Sequence, residues 1–160
     1  MISIQRRVVL SFLPLLLACA RRSAGDDAPA AATDTVRPAA SVSSPTLLNT
    51  YWKLMELAGN PVTVAANQNE PHLVLKPEPK QVNGSGGCNR FFGSYQTTGT
   101  ALSFGGIGST RMACPSGMDT EAAFLSALGR VATWRISGQR LELSDSTAAV
   151  LARFEARAMK

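Results

Sequence analysis

Hydrophobic and polar positions divide the chain into three stretches. Residues 8–18 are almost entirely apolar, with Arg6 and Arg7 just ahead of them. Residues 20–46 are dominated by Ala, Ser, Thr, Pro and Asp, with few large apolar side chains. From Leu47 onward, short apolar runs alternate with polar positions at the period of two that a half-buried strand requires. The run 50–57 ends at Gly59, Asn60 and Pro61, a strand followed by a turn. Further strands are expected at 72–76, between Pro71 and Pro77, at 90–96, and at 101–104 before Gly105. Gln81 and Val82 lead into Asn83-Gly84, a dipeptide that reads as a hairpin turn. Residues 111–113, 131–136, 140–143 and 149–155 complete the series, with Gly138 turning the chain between two of them.

One segment departs from this period. Over 118–128, Met118, Ala122, Leu125 and Leu128 fall at helical spacing, with Asp119 and Glu121 near the start. This predicts a single helix, capped by Ser116 or Asp119 and stopped by a left-handed Gly129, whose apolar stripe covers or plugs a β core. Many short antiparallel strands with one helix make the fold mainly β, a barrel or a sandwich. Trp52 and Trp134 read as members of its core.

The amino terminus changes the picture of where this domain works. Arg6 and Arg7 followed by a short apolar run form an export signal over 1–19, too short to span a bilayer. Its end, Leu16-Leu17-Ala18-Cys19, resembles a bacterial lipobox, in which the cysteine is acylated and becomes the first mature residue. The alternative is an ordinary secretory signal with Cys19 incidental. As a lipoprotein, the chain is held to the membrane through Cys19, by more acyl chains than stable anchoring needs. Ala20, rather than Asp, after the cysteine favours the outer membrane, facing the periplasm, if the host has one. Residues 20–46 then serve as a disordered spacer, too poor in apolar surface to offset their ordering entropy, and 47–157 form the one domain.

Charge adds little. The formal net charge of +5 falls to +3 once Arg6 and Arg7 are removed with the signal, leaving 14 basic against 11 acidic residues. Arg130, Arg135, Arg140, Arg153 and Arg157 are dispersed and read as solvent-facing, so no nucleic-acid stripe is formed.

Several motifs together, in one order, resemble the META domain, the family that includes the heat-shock protein HslJ. They are Trp52 in the first strand; Gly86-Gly87-Cys88-Asn89 followed by Gly93 and Tyr95; residues 102–105; Thr110-Arg111-Met112-Ala113-Cys114; Glu121 and Leu125; and Leu141 with Leu143. The resemblance implies a small antiparallel, lipocalin-like conical barrel with one helix packed in or against it, in an exported bacterial protein. The family is linked to heat response, novobiocin resistance, secretion and motility rather than to a defined reaction.

Cys88 and Cys114 are the only thiols of the domain. In an oxidising compartment a disulfide closing a loop of about 27 residues is expected, worth about 3 kcal/mol; the alternative is two reduced cysteines packed as small hydrophobes. A redox centre would favour Cys-x-x-Cys, and a zinc site needs more than these two and the sole histidine, His72. The glycines at 84, 86 and 87 lack the Lys-Ser/Thr of a phosphate loop. No catalytic residue, metal or cofactor is assigned. Asn89 and Arg111, beside the two cysteines, form a candidate polar patch for a ligand or partner, or else bond to turn backbone. The chain therefore reads as a non-enzymatic, lipid-anchored envelope protein that binds a partner or supports the envelope under stress. A carrier of a small apolar ligand, or an inhibitor of a secreted enzyme, is the alternative.

Overall fold

The computed structural model describes residues 44–159. The export signal, Cys19 and most of the expected spacer lie outside them.

Nine strands and one helix follow in the order β1 (Tyr51–Leu57), β2 (Asn60–Pro61), β3 (His72–Lys76), β4 (Gln81–Ser85), β5 (Arg90–Thr98), β6 (Ala101–Ser109), α1 (Met118–Leu128), β7 (Thr133–Ser137), β8 (Arg140–Ser144) and β9 (Val150–Arg157). All strand pairs are antiparallel, and the sheet runs β1-β3-β4-β5-β6-β7-β8-β9 before β9 pairs again with β1. The sheet thereby closes into a ring, which leaves no long exposed edge; β2 is a two-residue flap on β1. The weakest seam is β6 to β7, joined at Ala101 and Thr133 and by the bonds Leu102 N–H to Ala132 O and Trp134 N–H to Thr100 O, both 3.0 Å. The chain just ahead of β7 is the helix, which packs against β6 and β9.

Alternation puts Leu73, Leu75, Val82, Phe91, Tyr95, Leu102, Leu141, Leu143 and Phe154 inside the ring. In β1 a register shift between Leu54 and Glu56 turns Glu56 outward and Leu57 inward, so one irregularity preserves the apolar face. Trp52 is fully buried, and its indole N–H is satisfied by Leu47 O at 3.1 Å. Trp134 is half-buried against the core and donates to Gly99 O at 3.1 Å. The helix sends Phe124 into the ring, edge-on to Phe91 at 5.5 Å between centroids and tilted to Phe154 at 5.9 Å. Phe124, Phe154 and Trp52 thus fill the space in which a lipocalin-like carrier would hold its ligand.

Several local expectations are corrected. Asn83-Gly84 is not a turn: both lie within β4, Asn83 opposite Val74 and Phe92, Gly84 opposite Leu73 and Phe91. A Cβ on Gly84 would stand 2.2 Å from His72 O and 2.5 Å from the Phe91 ring, so the glycine serves close packing between strands rather than a turn. Strand β6 runs through Gly105 and Gly106 to Ser109, and residues 111–113 form a loop.

The helix has the expected bounds but another inward face, Glu121, Phe124, Ala127 and Leu128, with Met118 exposed. Its N-cap is Gly117, in the left-handed region, without a side-chain cap. At the other end Gly129 remains right-handed, and the helix closes through a tighter turn, Arg130 and Val131 N–H bonding Ala127 and Leu128 O.

Arg153 is half-buried rather than free in solvent. It sits between Glu56 of β1, at 2.9 and 3.0 Å, and Glu142 of β8, at 2.9 Å, while Glu142 also receives Arg135 at 2.5 Å. The bonds from Arg135, then Arg153, hold the Glu142 carboxyl below its ordinary range. A carboxyl with a lowered folded value stabilises the fold above its unfolded value, and that contribution is lost as pH falls through the folded one. Glu142→Gln is therefore expected to destabilise by about 0.5–1 kcal/mol near pH 7, the scale of exposed pairs, with the difference from the parent shrinking as pH is lowered below about 4. Urea titrations across that range check this; a difference that widens in acid would contradict it.

Candidate functional site

The residues singled out by the sequence converge at one end of the ring, where the β4–β5 connection meets the loop from β6 to α1. Cys88 and Cys114 are joined by a disulfide, their Cα atoms 6.0 Å apart. Between them lies Asn89, 2% exposed, with each of its polar groups engaged. Its backbone N–H donates to Glu121 Oε2 at 2.6 Å and its Nδ2 to Glu121 Oε1 at 2.7 Å. Its Oδ1 accepts from Met112 N–H at 2.7 Å and from the Thr110 hydroxyl at 2.9 Å, and Nδ2 also donates to Met112 O at 3.2 Å. Its carbonyl closes a tight turn by accepting from Gly86 N–H at 2.9 Å and the Ser85 hydroxyl at 3.3 Å.

Local sequence explains how the hub is built. A helix that buries Phe124 and Leu128 must also turn Glu121 inward, three residues before Phe124 and seven before Leu128. The carboxylate then needs donors, and Asn89 brings two from one residue. Gly86 makes room, since a Cβ there would sit 2.4 Å from Glu121 Cγ. Gln68 reaches the far side of the same corner, donating to Ser116 O, and Asn69 N–H donates to Gly87 O at 3.0 Å. The corner is thus tied by one covalent bond and a shell of hydrogen bonds, of which those between Asn89 and Glu121 are buried.

Asn89 and Arg111 do not share a surface: Asn89 faces inward and Arg111 is exposed to solvent. Glu121 is the partner that pattern reading passes over, because a glutamate counts as polar in an apolar stripe. Its signal is there nonetheless, in an i, i+3, i+7 spacing shared with Phe124 and Leu128. His72 stands apart, stacked on Tyr51 at 4.3 Å, with Nδ1 donating to Glu70 O at 2.8 Å. Burial, then the neighbouring Glu70, pushes the Tyr51 hydroxyl up to about 12. Among the described residues no group of three or more His, Cys, Asp or Glu is placed to hold a metal ion.

The META domain model matches residues 45–158, which takes in the ring, the helix and the Asn89 corner. The chain belongs to the META domain family. This META domain is similar to a protein from Burkholderia xenovorans solved by NMR, at 26% identity and TM-score 0.58, over 76% of this chain and 97% of that one. It is similar to a second protein solved by NMR, at 25% identity and TM-score 0.52, over 66% and 88%. A DUF4847 family protein from Bacteroides vulgatus, at 14% identity, TM-score 0.50 and coverage of 71% and 96%, shares the fold. No curated protein matches the chain.

Removing the disulfide is expected to weaken this corner without abolishing the fold. With a loop of about 27 residues, the Cys88→Ser/Cys114→Ser pair should cost about 3 kcal/mol. The loop before α1 stays tied to Asn89 through Thr110 and Met112, so the unfolding transition should remain cooperative. Urea unfolding of parent and variant checks both points; a chain already unfolded without denaturant would show that the bond network cannot hold the corner alone.

Proposed function

We propose that the chain is a lipid-anchored bacterial envelope protein whose META domain acts by binding or support rather than by catalysis. The observation that carries the non-catalytic part is the saturation of the Asn89 corner. Both carboxylate oxygens of Glu121 accept bonds from Asn89, and Cys88 and Cys114 are consumed in a disulfide. The side chains best suited to chemistry in the family-defining motifs are thus committed to holding the fold, and a general base or nucleophile needs a reactive group facing substrate. The compartment rests on the export pattern of residues 1–19 and on the disulfide, a bond that persists in oxidising surroundings.

In this reading Cys19 carries the acyl chains, residues 20–46 hold the domain away from the bilayer, and the exposed outer face of the ring meets an envelope component. The test is Cys19→Ser in the native host. The acyl mass should disappear and the protein should move from the membrane to the soluble fraction; unchanged mass and unchanged fractionation would end the lipoprotein reading. Cross-linking in the intact envelope, with the anchored parent against Cys19→Ser, then identifies what the domain touches.

A further inference from the structure

The outer face of β3, β4 and β5 carries a cleft of about 350 Å³ whose lining includes Lys76, Arg90, His72, Asn83, Val74 and Met159, and no aspartate or glutamate. A second recess on the same face shares Asn83 and is walled by Gln81, Ser94 and Phe92, again without a carboxylate. Elsewhere on the domain, the charged clefts each contain a carboxylate. Arg153 meets Glu56 beside β1 and β9, and Lys53 meets Glu70 at 2.5 Å in the cleft beside Tyr51. Glu70, two residues before His72, is thus directed to Lys53. Among the described residues neither Lys76 nor Arg90 has an ion-pair partner.

We infer that this face is a binding site for a ligand carrying a phosphate group. Register fixes the arrangement: His72, Ser85 and Arg90 stand in one row across the three strands, Val74, Asn83 and Phe92 in the next, and Lys76, Gln81 and Ser94 in the third. Cations therefore flank a middle row of amide and apolar groups. Arg90 presents a planar fork suited to two phosphate oxygens, Lys76 a point charge at the opposite end, and Asn83 a neutral donor between them. Val74 and the exposed Phe92 and Met159, 58% and 56% accessible, give the same site an apolar side for the rest of the molecule. The phosphate can come from a free phosphate compound or from the head group of an anionic lipid. This site does not depend on the anchor or on the partner-binding role proposed above.

The test follows backbone amide signals of the full chain by NMR. The probes are inorganic phosphate, a water-soluble short-chain phosphatidylglycerol, and its zwitterionic phosphatidylcholine counterpart as control. Signals of Lys76, Asn83 and Arg90 should move with phosphate, or with the anionic lipid more than with the zwitterionic one. Movement with phosphate assigns a free phosphate compound, and movement with the lipid alone assigns the head group. Lys76→Gln/Arg90→Gln should weaken the response at least about tenfold, as loss of charge-assisted bonds requires, while Arg140→Gln, a cation outside this face, should leave it unchanged. No movement at these three residues with any probe, or a response that survives the double substitution, would overturn the site.

Discussion

Glu121→Ala is expected to destabilise the META domain by about 3–5 kcal/mol, a large share of the 5–15 kcal/mol typical of a domain. The loss comes from what stays behind. Asn89 keeps its backbone N–H and one Nδ2 hydrogen in a buried corner with no acceptor, because the carboxylate that received them at 2.6 and 2.7 Å is gone. Rotation of the amide offers no escape, since Oδ1 is already committed to Met112 N–H and the Thr110 hydroxyl. Glu121→Gln sharpens the argument. It preserves shape but sets an NH2 group against one of two donors, so one bond survives, one fails, and the cost should be about 1–3 kcal/mol.

Asn89→Ala should be severe as well, and the Glu121→Ala/Asn89→Ala pair far less costly than the sum of the two, because each single change strands the other's partner. Urea unfolding of the four proteins completes the cycle. Strict additivity would show that the two residues do not act together.

The strand pattern and the helix bounds were legible because each depends on a local period. Residues 72–76 alternate between two prolines and form β3 at those bounds, and 118–128 form α1. What local reading missed depends on contacts distant in sequence. Asn83-Gly84 carries the chemistry of a turn, yet β3 and β5 on either side hold it straight, and the Phe91 ring uses the missing Cβ. Apolar residues alone favour a helix face with Met118 and Ala122, whereas the face that packs inward includes a glutamate whose donors lie 32 residues earlier. The disulfide was legible from the export pattern and the spacing of Cys88 and Cys114. The Asn89 hub was visible only as a residue next to a cysteine, since neither Thr110 nor Glu121 announces its partner in sequence. The carboxylate-free cleft is assembled from three strands, so no single stretch of sequence displays it.

Phe124→Ala is expected to cost about 3–5 kcal/mol and to change what the ring can hold. Phe124 is fully buried and meets Phe91 and Phe154 at 5.5 and 5.9 Å, so truncation removes its transfer energy and leaves an apolar hole where the rings converged. The closed sheet resists collapse into that hole because its strands are hydrogen-bonded around the circumference. A dry apolar cavity of this kind takes up small aromatic molecules. Benzene should therefore raise the melting temperature of Phe124→Ala and leave the parent unchanged, while Phe124→Leu, which keeps part of the volume, should lose less stability and gain less from benzene. The comparison bears directly on a carrier function. A parent stabilised by benzene as strongly as the variant would mean that the interior already admits apolar ligands.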